Sequence, residues 1–358
     1  MDLKRDTDRT NNLIKVLIIG SSIARSEPID NFFLLYPQSC IQLRNLSETT
    51  RDTRPFSMPT TYIAFGLTIA SSIELPPLRK SPVTTIDVTI EYGKVSRDGL
   101  EKPEVVKPFS QTAANELWLH IPEVAWFYVS HGNRIVIDAE ADSDLQTIRL
   151  FLLGSCLGAI LHQRNCLVIH GNAIRFGDEC VIFAGNSGNG KSTLAAAFYQ
   201  RGYKVLADDL AVVDEQLRVQ PSYPQLKLWH DSAKKLNIDT DQLKQIRHQI
   251  NKYAYPIKKG FCTTPLPVRA LYILNTHNEE SFELEPIQGV SKFNPLKNNT
   301  YRLGYLEGLG LKPTHLKQCA ELANRIKLSR ITRPDRDFQI EKLVEMIEHD
   351  LETTAPVA

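Results

Sequence analysis

The 358-residue sequence lacks three features that would each have indicated a class of protein. Its formal net charge is only +1, so the composition gives no electrostatic footprint for nucleic acid or a membrane surface. Its six cysteines include no C-x-x-C pair and several lie in apolar runs, which favours small buried side chains in a reducing compartment over a zinc site. No run of about 18 uncharged apolar residues is present, so we expect no membrane span and a cytoplasmic protein.

What is present is an ordinary globular composition, 42% hydrophobic and 23% charged, in a chain long enough for two domains. We divide it into a poorly defined N-terminal extension (1–57), a β-rich domain (58–141) and an α/β domain (142–358). In the β-rich part, Thr84–Tyr92 alternates with period two. The turn His131-Gly132-Asn133 predicts a hairpin between the two runs that flank it.

The α/β part begins with a long helix, Leu145 to about Gln163, which Asp144 caps and which is apolar nearly all round. A strand ending at His170-Gly171 follows. Further along, the patterns predict these elements: strands at 180–184, 203–207, 268–274 and 329–334, and helices at 193–201, 239–252, 294–309, 313–327 and 339–351.

The stretch on which a function depends is a glycine-rich loop that fits G-x-x-x-x-G-K-[ST], the phosphate-binding P-loop. A short apolar strand precedes it and a strong helix former follows it, so backbone N–H groups and a helix N-terminus would face a phosphate. Lys191 would reach the β- and γ-phosphates, and the Ser192 hydroxyl would hold Mg²⁺. We assign to nucleotide binding the residues Gly185, Asn186, Ser187, Gly188, Asn189, Gly190, Lys191, Ser192 and Thr193.

Asp208 and Asp209 follow the next predicted strand, about 30 residues after the start of the loop strand. We expect their strand to be parallel and adjacent to the loop strand, which brings both carboxylates to the edge where α/β sheets bind ligands. Phosphoryl transfer needs one carboxylate for Mg²⁺ and one group to accept the acceptor's proton. The sequence does not say which aspartate has which role; of the two assignments we favour Asp208 as the base and Asp209 as the metal ligand, with His170 orienting or stabilising the base.

These motifs together resemble the HPr kinase/phosphorylase family, chiefly through VIHG at 168–171, GNSGNGKS at 185–192 and GYKVLADD at 202–209. Weaker matches are FGL at 65–67, HQR at 162–164, NTYR at 299–302 and TRP at 332–334. They resemble a divergent branch that phosphorylates lasso-peptide precursors at a C-terminal serine. The resemblance implies an α/β P-loop kinase core of the HPr kinase/PEP carboxykinase type, joined here to a β-rich N-terminal domain.

The resemblance also implies ATP and Mg²⁺ as cofactors, a peptide or small-protein serine as the phosphate acceptor, and a homo-oligomer. Arg302 is then a candidate cation for the transferred phosphate or the acceptor. The chain departs from the family pattern after the two aspartates, where its signature segment is missing, so phosphorolysis and HPr as substrate do not follow. An HPr-type protein kinase, a small-molecule kinase and a non-catalytic nucleotide-binding regulator remain the alternatives.

Overall fold

The structure is a computed structural model that describes residues 59–247, 250–336 and 339–353. The predicted extension 1–57 lies outside these ranges. All described residues fall within one compact unit, Ser47–Ala358, and the predicted domain boundary at 141/142 stays a prediction.

The first part of the chain folds into a nine-stranded sheet with the order β3-β1-β2-β4-β9-β8-β7-β6-β5. Strand β4 pairs in parallel with β2 and β9, and the other neighbours are antiparallel. The predicted hairpin is confirmed as β8 and β9, and the period-two segment forms β4 over its second half. The strands are β1 (Thr60–Ala64), β2 (Leu67–Ser71), β3 (Arg79–Lys80), β4 (Val88–Tyr92), β5 (Val105–Lys107), β6 (Ser110–Ala113), β7 (Glu116–Ile121), β8 (Ala125–Ser130) and β9 (Arg134–Ala139).

The long apolar helix is confirmed as α1 (Leu145–Gln163), with a π-helical segment, Leu152–Cys156, in its middle. The carboxylate of Asp144 caps it by accepting from the backbone N–H groups of Gln146 and Thr147. Within the described ranges it is the one helix with the length and composition of a membrane span, but 78% of its apolar stretch is buried in the protein. Burial of that extent is typical of a core helix.

The second part of the chain forms an eight-stranded sheet of mixed direction. Its path runs β11-β10-β13-β14-β18-β20-β19, and β12 pairs with β10. Because β11 also pairs with β18, the first five strands of this path close into a ring. The strands are β10 (Leu167–Phe176), β11 (Glu179–Gly185), β12 (Val205–Ala207), β13 (Leu210–Val213), β14 (Arg218–Gln220), β18 (Leu266–His277), β19 (Glu283–Ile287) and β20 (Lys327–Pro334).

Two hydrophobic clusters cover opposite faces of this sheet. Residues of β11 alternate between them, with Ile182 in one and Phe183 in the other, so the strand before the loop is buried on both faces as predicted. The helices that pack on the sheet or lie between its strands are α2 (Lys191–Gln200), α3 (His230–Lys235), α4 (Phe293–Asn298), α5 (Lys312–Arg325) and α6 (Ile340–Thr353).

The strand before the aspartates corrects one expectation. Strands β11 and β12 both run antiparallel to β10, so they are parallel to each other as predicted, but β10 lies between them. The cause is the tight turn at Gly177, which makes β10 and β11 a hairpin and occupies the position next to β11. The aspartates therefore face the loop across one intervening strand.

Two predicted helices were also wrong. The segment 239–252 forms strands instead, in a three-stranded sheet of order β15-β17-β16, where β15 is Gln225–Trp229, β16 is Lys244–Arg247 and β17 is Ile250–Pro256. Pairing with β15 overrides the helical pattern of this polar stretch. In the other case the helix predicted for 294–309 ends at Asn298, and a short 3₁₀ turn, Leu303–Tyr305, follows it.

Candidate active site

The glycine-rich loop connects β11 to α2 in the predicted strand–loop–helix order. Gly185, Gly188 and Gly190 have φ of 133°, 91° and 96°, a region that disfavours residues with a Cβ atom. A Cβ on Gly185 would also collide with the carbonyl oxygen of Leu274 on β18. These glycines are therefore required by the backbone path, and that path leaves Asn186, Ser187 and Gly188 exposed at the mouth of the loop.

The first residue of α2, Lys191, is buried and folds back over the loop. Its Nζ donates to the carbonyl oxygens of Gly185 at 2.7 Å and Asn186 at 3.1 Å. Burial lowers the pKa of Lys191 to about 8, although Asp209 and Asp208 partly oppose this shift. An ammonium group in this position faces the two aspartates across the site.

Ser192 and Asp208 form the first direct link between the loop and the acidic pair. The Ser192 hydroxyl donates to Asp208 Oδ1 at 3.3 Å. The same oxygen accepts from the Asn172 side-chain amide on β10, and Asp208 Oδ2 accepts from the backbone N–H of Lys227 at 2.8 Å. Burial, followed by the neighbouring Asp209 carboxylate, raises the pKa of Asp208 above its usual range.

Asp209 points in a different direction from Asp208 because its backbone is left-handed, with φ of 72°. Its Oδ2 accepts from Lys227 Nζ on β15 at 2.8 Å, and its side chain is 24% exposed against 7% for Lys227. Burial alone would raise the pKa of Asp209, but the Lys227 ammonium, with His170 and Lys252, holds it well below its usual range. Asp209 is therefore the ionised, accessible member of the pair.

His170 contacts the same aspartate from β10. Its Nδ1 lies 3.5 Å from Asp209 Oδ1 and 3.2 Å from the Asp209 carbonyl oxygen. Both neighbours are acceptors, so Nδ1 carries the proton and donates. Burial lowers the pKa of His170 to about 4 against the opposing effect of Asp209, which makes the imidazole neutral at pH 7.

Tyr301 and Arg302 approach from the segment after α4. Tyr301 packs beside His170, with 5.6 Å between ring centroids, and its ring lies against Gly154 and Gly158 of α1. Arg302 has φ of 50° and its Nη2 donates to Ser155 Oγ at 3.1 Å, in the π-helical segment of α1. The guanidinium thus bonds to the core helix, and its role towards the transferred phosphate or the acceptor stays a prediction.

The contacts form one continuous series: Ser192 to Asp208, Asp208 to Lys227, Lys227 to Asp209, and Asp209 to His170. Two members of this arrangement, Lys227 and Asn172, were not predicted from the sequence. The sequence does carry one signal for Lys227, a charged residue between the apolar residues Leu226 and Leu228, and the structure buries this lysine. No sequence signal distinguishes Asn172, which reaches Asp208 because Ala173 pairs with Ala207.

Comparison with known proteins adds little to this geometry. No protein-family model matches the chain, and no curated protein matches it. Among solved structures, the HPr(Ser) kinase/phosphatase from Coxiella burnetii matches at 14% identity, over 52% of this chain and 92% of that one, with a TM-score of 0.26. The similarity to that kinase/phosphatase is a distant structural one, and at this TM-score it carries no argument about the site.

Proposed function

We propose that this chain is an ATP- and Mg²⁺-dependent phosphotransferase that acts on a serine hydroxyl of a peptide or small protein. One observation carries the proposal: the hydroxyl at the start of α2 lies 3.3 Å from a buried carboxylate, and a second, accessible carboxylate follows directly in sequence. Phosphoryl transfer depends on this combination, because it is catalysed mainly by positioning and electrostatics.

The residues present fit a nucleotide triphosphate and a divalent cation. The glycine backbone of the loop leaves open space beyond Gly188, and the N-terminus of the ten-residue helix α2 faces it. Ser192 Oγ and Asp208 Oδ1 are hard oxygen donors of the kind that Mg²⁺ prefers. Asn172 Oδ1, buried beside them, accepts no hydrogen bond from the described residues. Bound Mg²⁺ would neutralise charge on the phosphate oxygens.

The geometry favours a division of roles opposite to the one expected from sequence. Asp208 is 2% exposed and contacts Ser192, so we assign it with Ser192 to the metal. Asp209 is accessible and ionised, so we assign it to accept the proton of the acceptor hydroxyl, with His170 and Lys227 holding its carboxylate in place. Lys191 would balance charge on the β- and γ-phosphate oxygens.

A transfer assay tests the proposal. The full chain is incubated with Mg²⁺ and γ-labelled ATP, and label is followed into serine peptides, small proteins and metabolite pools. The resemblance makes a lasso-precursor peptide ending in serine the first acceptor to assay, and HPr the second. We expect label in a serine peptide, and loss of that label in Lys191→Ala, Asp208→Asn and Asp209→Asn.

The rival functions give different results in the same assay. A small-molecule kinase would label metabolites and no peptide. A non-catalytic regulator would bind ATP without transferring phosphate, and Asp209→Asn would leave that binding and its output intact. Absence of transfer to every acceptor, with ATP binding retained, would contradict the proposed function.

A further inference from the structure

The segment that contributes Lys227 to the site is strongly basic. Residues 225–259, which include the three-stranded sheet and α3, contain seven lysines and one arginine against three aspartates, a net charge of +5 in a chain whose total is +1. We call this segment the basic lobe. Because this segment is more positive than the whole protein, its charge is a local electrostatic feature.

One face of its sheet carries the charge in an ordered way. Strand pairing aligns Lys227 with Ala254 and Ala254 with Lys244, and aligns Trp229 with Lys252, so all of these side chains share one face. The other face is apolar, since Leu226, Leu228 and Tyr255 pack into the cluster around α2. Among their described residues, none of the three strands contains an aspartate or glutamate.

This face begins at the catalytic pair and extends to solvent. Lys227, buried, binds Asp209. Trp229, two residues further on the same face, is 42% exposed, and Lys252 Nζ lies 5.6 Å from its ring centroid. Lys244 is exposed. An acceptor with its hydroxyl at Asp209 would therefore lie beside a face that carries an indole and two ammonium groups.

We propose that this face docks an acidic segment of the phosphate acceptor, with Trp229 and Lys252 next to the reacting serine and Lys244 further along. The inference rests on the proposed function and names the acceptor's chemistry: carboxylate side chains close to the serine. Complementary charge of this kind contributes mainly to orientation and to the rate of encounter.

The acceptor is favoured over the nucleotide as occupant because of where the lobe attaches to the site. The backbone of the loop and α2 supply the donors for phosphate, and Ser192 marks that side. Lys227 bonds to Asp208 through its backbone N–H, but its side-chain ammonium, on the charged face of the lobe, binds Asp209, the aspartate assigned above to the acceptor. The exposed indole of Trp229 lies two residues beyond Lys227 on the same face, on the Asp209 side of the site.

Binding measured separately from catalysis tests the inference. Two fluorescent serine peptides, identical except that one carries aspartates and glutamates where the other carries asparagines and glutamines, are titrated with the full chain and followed by anisotropy. We expect the acidic peptide to bind about threefold to tenfold more tightly, as two partly exposed ion pairs allow. The double variant Lys244→Gln/Lys252→Gln should abolish the difference, and Trp229→Ala should weaken both peptides.

Two controls make each outcome decisive. Lys317→Gln removes an exposed lysine of α5, outside the lobe, and should leave the preference intact. In Lys244→Gln alone, which leaves Lys252 and its effect on Asp209 in place, the affinity for Mg–ATP should change by less than about twofold. Equal binding of the two peptides overturns the inference, and so does a loss of Mg–ATP affinity in place of peptide affinity, which assigns the face to the nucleotide. Lysine-dependent binding of the acidic peptide without phosphate transfer keeps the docking surface and overturns the kinase.

Discussion

Each of the two large sheets contains a buried aspartate close to a strand end, and the two are held in opposite ways. Asp138 on β9 is 5% exposed and is bound by Lys94 at 3.3 Å, Arg97 at 3.0 Å and the backbone N–H of Val95 at 3.2 Å. Asp208, after β12, is 2% exposed and is bound by a hydroxyl, a side-chain amide and a backbone N–H. Only the first has two cationic side chains bonded directly to it.

The two arrangements differ in how the charge of the carboxylate is balanced. The partners of Asp138 all come from one short segment, 94–97, so its charge is compensated and anchors that segment to the sheet. Asp208 has a second carboxylate beside it, and the one ammonium in contact with the pair, that of Lys227, binds Asp209. A pair of carboxylates with one bonded ammonium leaves negative charge for an added cation to balance.

The largest expected effect compares the proposed base with the structural aspartate. Asp209→Asn removes the proton acceptor without changing shape, so phosphate transfer should fall about 10²- to 10⁴-fold. Asp138→Asn should leave the transfer rate within about twofold, because its bonds only hold the 94–97 segment. Steady-state kinetics on both variants measures this, with circular dichroism to confirm folding. An equal loss of transfer rate in the two variants would contradict the assignment of Asp209 as the base and of Asp138 as a structural residue.

A buried histidine in the core helix, which has no carboxylate partner among the described residues, should make the stability of the fold depend on pH. His162 in α1 bonds to the Tyr301 carbonyl oxygen at 2.8 Å, and burial lowers its pKa to about 4. The unfolded state, with a histidine pKa near 6.5, binds more protons between those values, so stability is complete above about pH 6.5 and falls towards pH 4. We expect this residue to account for about 3 kcal/mol of that loss.

Denaturant unfolding at several pH values measures the effect. His162→Gln keeps a donor for Tyr301 but cannot titrate, so the variant should lose less stability than the natural chain between pH 6.5 and 4. Part of the slope should remain, since burial also lowers the pKa of His170 and His315 to about 4. Parallel curves for the two proteins would show that His162 is not buried as described.

The next effect concerns nucleotide affinity. Lys191→Ala removes a buried ammonium that closes over the loop, so Mg–ATP binding should weaken by roughly tenfold to 100-fold, as for a hydrogen bond to a charged group. Lys94→Ala, which removes a largely exposed cation from Asp138, should have no effect on this affinity. Calorimetric titration distinguishes them. Unchanged affinity in Lys191→Ala would contradict a phosphate role for the loop.

The smallest effect is structural. Asp138→Asn should lower the free energy of unfolding by about 1–2 kcal/mol, because the bonds to Lys94 and Arg97 weaken but both cations remain partly exposed to water. Chemical denaturation measures it, and Arg97→Gln should reproduce part of the loss. An unchanged free energy of unfolding in Asp138→Asn would mean that the ion pairs of Asp138 do not stabilise the fold.

Much of the fold could be predicted from local pattern. The loop strand, α2, the core helix α1 and the β8–β9 hairpin each carry their own signal: a glycine motif, a cap with an apolar face, or a turn. The errors lie where distant pairing decides. Residues 239–252 read as a polar helix and became strands because β15 provides a pairing edge. The neighbour of β11 was misassigned for a different reason: the tight turn at Gly177 was not interpreted as a hairpin, which places β10 next to β11.

Most components of the candidate site could be predicted from sequence motifs: the glycine loop, Lys191 with Ser192, two consecutive aspartates and a histidine at a strand end. Their arrangement in space depends on the tertiary structure. The left-handed backbone of Asp209 separates the two carboxylates, and strand β15 brings Lys227 between them. Contacts of this kind join residues 16 and 19 positions apart that lie on different elements, which local pattern does not encode.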